Sequence, residues 1–166
     1  MNEAGNAPIR LLLVDDEEDL VTFLAHRLRK RGIEVAVATC GEDALAAAAH
    51  QKFDVAVVDL KMPDIDGITV MERLRKGQPY IEVLMLTGHG SHDSAWEAGR
   101  LQAFRYLLKP YDFDELHGLI GQAAAQRRKR LQAEFAGRLA DLMAGTTSAR
   151  DLIEESNKLR REYEQD

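Results

Sequence analysis

Phe53-Asp54-Val55-Ala56-Val57-Val58-Asp59-Leu60-Lys61-Met62-Pro63-Asp64-Ile65-Asp66-Gly67 is the stretch on which the reading of this chain turns. Phe53 to Val58 is a short apolar run broken only by Asp54, as expected of a strand covered on both faces. It ends on a carboxylate, Asp59. Pro63 and Gly67 then punctuate a turn, and Ile68 to Lys76 has the spacing of a helix. Working outward, the same unit recurs. Ile9 to Val14 is an apolar strand followed by a helix over Glu17 to Arg31, with Leu20, Phe23, Leu24 and Leu28 on one side and Gly32 as its stop. Ile33, Val35 and Val37 alternate as a second strand before an Ala-rich helix from Glu42 to Gln51. Ile81 to Leu86 is a fourth strand ending on Thr87, with a helix over Ser91 to Leu101; Ala103 to Leu108 is a fifth, with a helix from Asp112 onward. Five strand–helix units in succession predict an α/β domain built on a parallel sheet with right-handed crossovers.

Beyond about residue 121 no strand signal appears. Asp112 to Met143 reads as helix throughout, and one unbroken helix of that length would span about 48 Å. Gly118, Gly121 and Gly137 each cost about 1 kcal/mol against Ala inside a helix, so a break near Gly121 is expected. Ser148 and Asp151 form a capping pair for a last helix reaching about Tyr163. The 166 residues thus divide into a disordered N-terminus at 1–8, an α/β domain at 9–122 and a helical extension at 123–166. Apolar residues make up 45% of the chain, enough for a real core, and the net charge of −6 gives no global basic field for nucleic acid. Met1 to Pro8 lacks the apolar segment of a signal peptide, and no apolar run approaches the roughly 18 residues of a membrane span. The expected location is the cytoplasm. Cys40, the single cysteine, excludes an internal disulfide.

The chemistry lies where the strands end. Ligands bind open α/β sheets along the carboxyl edge of the strands, and Asp15, Asp16, Asp59, Thr87 and Lys109 all fall there. Three carboxylates so placed repel one another, and Mg²⁺, an oxygen-seeking cation that keeps several waters, resolves the conflict. Asp59 is the best placed nucleophile: a carboxylate can attack a phosphoryl donor and form an acyl phosphate. The cation and Lys109 would neutralise the charge that develops on the phosphoryl oxygens.

These residues and their neighbours make the chain similar to the receiver domains of two-component response regulators. The resemblance runs from residue 9 to about 122. It rests on Asp15-Asp16, on Asp59 with Met62-Pro63-Asp64 and Asp66-Gly67, on Thr87-Gly88, and on Tyr106-Leu107-Leu108-Lys109-Pro110. It implies a flavodoxin-like (βα)5 sheet with helices on both faces. It also implies phosphorylation of Asp59 by a sensor histidine kinase and a Mg²⁺ held by Asp15, Asp16, Asp59 and the backbone carbonyl of Lys61. Thr87 and Tyr106 match the family's switch pair, in which the hydroxyl moves to the phosphoryl group and the aromatic turns inward. Lys109 binds the phosphoryl group, and the Lys109–Pro110 bond is implied to be cis. Lys61 and His89, two positions beyond Asp59 and Thr87, flank the path of hydrolytic water and are candidates to tune the lifetime of the acyl phosphate. Gly88 to Lys109 most resembles receivers of the nitrogen-regulatory type, although Gln102 and Arg105 stand where Gly and Asp are usual.

In the extension, Leu131, Phe135, Leu139, Leu142 and Met143 form an apolar stripe at helical spacing. It requires cover from Leu152, Ile153, Leu159 and Tyr163 or from a second protomer, so a homodimer through the last receiver helix and the extension is expected. Gln126-Arg127-Arg128-Lys129-Arg130 is a basic run, and a transcriptional regulator binding DNA through 126–166 is the competing reading; no recognition-helix pattern supports it. A phosphatase with an Asp nucleophile is disfavoured, because Lys61 stands where a second carboxylate would act as acid. The chain is expected to be no enzyme beyond its own phosphorylation and dephosphorylation.

Overall fold

A computed structural model describes residues 7–88, 103–145 and 148–165, with side chains to residue 161. The helix expected over Ser91 to Leu101, His89, Gln102 and most of the N-terminal segment lie outside the described residues. Five strands, β1 (Arg10–Val14), β2 (Glu34–Ala38), β3 (Val55–Asp59), β4 (Glu82–Thr87) and β5 (Arg105–Leu108), form one parallel sheet in the order β2-β1-β3-β4-β5. The described helices are α1 (Glu18–Lys30), α2 (Gly41–His50), α3 (Gly67–Gly77), α4 (Phe113–Gly145) and α5 (Ala149–Gln165).

Side chains alternate across a strand, so each strand feeds two cores. Leu11, Leu13, Val55, Val57, Leu84, Leu86 and Leu107 face α1 and the start of α4, meeting Val21, Leu24, Leu28, Leu116 and Ile120. Leu12, Val14, Ala56, Val58, Val83 and Met85 face α2 and α3, meeting Ala44, Val70, Met71 and Leu74. The sheet is therefore covered by helices on both faces. Gln78, buried after α3, locks one end of this arrangement: its Oε1 accepts from the Phe53 N–H at 2.8 Å, and its Nε2 donates to the carbonyls of Ala48 and Gln51. Every polar atom of that buried amide group has a partner, as burial requires.

Two expectations need correction. Phe23 is 60% exposed, and the stripe α1 buries is Val21, Leu24, Ala25 and Leu28; Phe23 instead stands near the Arg27 guanidinium at 5.8 Å. Arg27 also lies 3.6 Å over the ring of Phe113 and Arg31 pairs with Asp114 at 3.0 Å, tying α1 to the start of α4. The break near Gly121 does not occur. The helix α4 is continuous from Phe113 to Gly145, because Leu116, Ile120, Ala123 and Ala124 are buried on its inner side and tertiary packing outweighs the propensity cost of its glycines.

The chain divides into two compact units, Met1–Ala124 and Ala125–Asp166. In the second, Arg138, Asp141 and Leu142 of α4 and Glu155 and Leu159 of α5 line one cleft of about 280 Å³. Leu159 is buried, and Leu131, Phe135, Leu139, Leu142 and Leu152 are half-buried. Met143 and Ile153 are exposed by 59% and 62%. Cover of the stripe by the described residues of α5 is therefore partial, and the side chain of Tyr163 lies outside the described residues. Among the described residues, no helix is long and apolar enough to cross a membrane.

Candidate functional site at the carboxyl edge of the sheet

Asp15 follows β1 directly, and its N–H donates to the Ala38 carbonyl at 3.2 Å, extending the ladder by one residue. That bond holds the carboxylate at the strand end, 2% exposed. Asp59 is the last residue of β3 and Thr87 the last of β4, both buried. The Lys109 N–H donates to the Thr87 carbonyl at 2.7 Å, so the segment after β5 stays in register with β4. The Lys109–Pro110 peptide bond is cis.

Among the described residues, the Lys109 ammonium is the cation paired with the acidic groups of this edge. Lys109 Nζ lies 2.7 Å from Asp15 Oδ2, 3.4 Å from Asp59 Oδ1 and 3.8 Å from Glu17 Oε1. Asp15 Oδ1 accepts from the Glu17 N–H at 3.0 Å. Carboxylate oxygens of Asp15, Asp16 and Asp59 all lie within 4.8 Å of one another, Asp16 being the exposed member. Burial of this cluster shows on Asp59. Burial pushes its carboxyl up to about 6; the Lys109 charge and hydrogen bond pull it down, while the Asp15 and Asp16 charges push it further up. Burial alone would lower the Lys109 ammonium, but the Asp15 hydrogen bond and charge, joined by Asp59, outweigh it and leave it raised. Three converging oxygen donors suit a small divalent cation that keeps some of its water, so the donor set fits Mg²⁺.

The turn after Asp59 is fixed from both sides. The Leu60 N–H donates to Leu86 O at 2.8 Å and the Gly67 N–H to Leu60 O at 2.9 Å. A Cβ on Gly67 would come within 2.3 Å of the Asp59 carbonyl oxygen, so only glycine lets α3 start this close to the strand. Asp66 caps α3, accepting from the Thr69 N–H at 2.9 Å. Asp64 reaches across to α2, accepting from the N–H groups of Gly41 at 3.1 Å and Glu42 at 3.0 Å. Backbone N–H groups of Gly41, Ile65 and Glu42 hold its carboxyl down at about 2. Lys61 is exposed beside the site.

Tyr106, from β5, is half-buried among the residues facing α2 and α3. Its hydroxyl is buried without a hydrogen-bond partner among the described residues, and burial raises its pKa against the opposing charge of Arg75. The sequence motifs had singled out Asp64 only as part of a turn, and had passed over Glu17. The acidic run from Asp15 to Asp19 could have signalled Glu17.

The sequence signature of the response regulator receiver domain matches residues 11–121. The chain belongs to this family: it contains a receiver domain of the two-component response regulators. Among curated relatives, the transcriptional regulatory protein ZraR of Salmonella typhimurium is 37% identical over 121 residues, 73% of this chain and 27% of that protein. The chain therefore spans little more than a quarter of that relative's length. Among solved structures, a response regulator receiver domain protein from Clostridium thermocellum is 32% identical, with a TM-score of 0.69 over 75% of this chain and 98% of that one. A structure described as adenylate cyclase from Rhodopirellula baltica is 31% identical, with a TM-score of 0.73 over 84% of this chain and 99% of that one.

Proposed function

We propose that Asp59 accepts a phosphoryl group from the phosphorylated histidine of a sensor kinase, with Mg²⁺ held by Asp15, Asp16, Asp59 and the Lys61 carbonyl. The observation that supports this most is the convergence of three carboxylates and the Lys109 ammonium at one sheet edge, with Asp59 protonating well above the usual range. An Asp59 oxygen attacks phosphorus, the P–N bond of the donor breaks, and the leaving imidazole takes up a proton. Bound Mg²⁺ supplies neutralisation of the phosphoryl oxygens. Dephosphorylation is a separate displacement: water attacks phosphorus, the P–O bond to Asp59 breaks, and inorganic phosphate leaves with the Asp59 carboxylate restored. The chain performs no other chemistry.

Thr87, Tyr106, Lys109 and the cis Pro110 form the switch. A hydrogen bond from Thr87 to a charged phosphoryl group contributes roughly 1.5–3 kcal/mol, whereas moving an equilibrium from 1:99 to 99:1 takes about 5.5 kcal/mol. Lys109 must supply the remainder by leaving Asp15 for the new anion. Lys61 and His89 set the lifetime of the acyl phosphate. Residues 9–122 receive the signal in the cytoplasm, and 123–166 carry it to a second protomer, using the uncovered Met143 and Ile153 as part of a homodimer contact.

The competing output is DNA binding by the extension. Its support is the exposure of Arg128, Lys129 and Arg130 and the naming of relatives as transcriptional regulatory proteins. A steep fall of DNA affinity with salt would favour it. Molar mass in solution, with and without beryllofluoride and Mg²⁺, tests the main reading. A change in mass in the parent that Thr87→Ala abolishes supports it; a full change in Thr87→Ala contradicts the coupling.

A further inference from the structure

The turn that carries Lys61 is held from two directions. Toward the sheet, the Leu60 N–H donates to Leu86 O at 2.8 Å, and Leu60 O accepts from the Gly67 N–H at 2.9 Å. Toward α2, the Asp64 carboxylate crosses to the helix start: Oδ1 accepts from the Gly41 N–H at 3.1 Å and Oδ2 from the Glu42 N–H at 3.0 Å. Between Leu60 and Asp64 stand Lys61, Met62 and Pro63, which make no backbone–backbone hydrogen bond among the described residues. The helix start sits close on the turn. A Cβ on Gly41 would come within 2.8 Å of Val70 and 3.1 Å of Ile65, so a side chain there would force the two apart. The same connection also braces the first strand. Ala38, the last residue of β2 and three positions before Gly41, accepts from the Asp15 N–H at 3.2 Å. Residues 38–42 thus hold Asp15 at one end and the turn after Asp59 at the other.

We infer that Asp64 is a positioning residue for the metal: by tying the turn to the start of α2 it keeps the Lys61 carbonyl presented to the Mg²⁺ held by Asp15, Asp16 and Asp59. This rests on the proposed Mg²⁺ site, in which that carbonyl is a ligand. Asp64 acts through the backbone and touches no ion itself. Without its two bonds, residues 61–63 are fixed only from the Leu60 side, and the carbonyl loses its set direction. Asp66 is the contrasting carboxylate of the same turn. Both of its bonds, to the Thr69 N–H at 2.9 Å and the Thr69 hydroxyl at 3.0 Å, stay within the first turn of α3. It caps a helix, whereas Asp64 joins two elements.

The test is Mg²⁺ affinity by calorimetry for Asp64→Ala, Asp64→Asn and Asp66→Ala, well below their thermal midpoints. About 1 M KCl screens charge beyond about 3 Å, so the lost charge of an exposed carboxylate is not felt at the metal. Asp64→Ala should bind Mg²⁺ about tenfold more weakly, as expected when a group that orients a ligand is removed. Asp64→Asn keeps one acceptor oxygen and should lose about threefold; it carries the test if Asp64→Ala does not fold. Asp66→Ala loses an equal charge and a helix cap, yet should bind as the parent does. Unchanged affinity in both Asp64 variants would overturn the inference, as would an equal loss in Asp66→Ala, since that marks a general loosening of the turn. Asp15→Asn, run in parallel, separates the two ideas. If it binds Mg²⁺ as the parent does, the metal reading fails; if it does not, a null result at Asp64 counts against Asp64 alone.

Discussion

The two units of this chain are built to different standards of definition. In residues 7–124, the groups at the carboxyl edge are held several times over: Asp15 by backbone and Lys109, Thr87 by the Lys109 N–H, the turn after Asp59 by Gly67, Asp66 and Asp64. In residues 125–166, two helices line a cleft, Leu159 is buried, and the remaining apolar positions are half-covered or exposed. The contrast teaches where the function is encoded. Chemistry that must place a phosphoryl group within a few tenths of an ångström needs rigid support, whereas a surface that engages a partner keeps apolar area uncovered until the partner arrives.

If that contrast is right, changes at the edge should be costly and changes in the extension should be slight. The largest loss is expected from Lys109→Met, which leaves the buried Asp15 and Asp59 carboxylates without their cation. Breaking a buried ion pair costs about 3–5 kcal/mol, and Mg²⁺ should restore much of it; urea titration with and without the metal checks both. Next is the pH dependence. Asp59 protonates at about 6 in the fold against an ordinary 3.8. The folded state binds its proton more tightly, so the stabilisation is complete below about pH 4 and disappears as pH rises through 6, by about 3 kcal/mol at most. Metal-free protein should therefore lose stability between pH 4 and 6.5, and saturating Mg²⁺ should remove the trend. A stability that rises over that window would show that Asp59 is not the strained member of the cluster.

Gly67→Ala should cost about 1–3 kcal/mol, because the new methyl meets the Asp59 carbonyl and the surroundings must shift. The smallest effect belongs to the extension. Gly137→Ala should stabilise α4 by up to about 1 kcal/mol, since open space surrounds its Cβ position. A loss there would mean that the extension is as tightly determined as the edge.

Much of this was legible in the sequence because apolar runs that stop on Asp59, Thr87 or Lys109 announce both a buried strand and the chemistry at its end. The limits are physical too. Helical period put Phe23 beside Leu24 but could not say that the smaller Val21 and Ala25 would face the sheet. Propensity placed a break at Gly121; burial of Leu116 and Ile120 on the inner side overrode it. Asp64 holds N–H groups of a helix 23 positions earlier, a link no local pattern reveals. In the extension the apolar stripe was plain, but a stripe does not name what covers it.

The central claim is that Asp59 is the phospho-acceptor, and the most direct measurement is the position of the phosphoryl group. The protein is incubated with acetyl phosphate and Mg²⁺, and its intact mass and fragment masses are then recorded for the parent and for Asp59→Asn. The expected result is a single phosphoryl group on Asp59, released by hydroxylamine as an acyl phosphate is, and none on Asp59→Asn. Uptake by Asp59→Asn at the parent's rate, or a phosphoryl group on any other residue of the parent, would contradict the account.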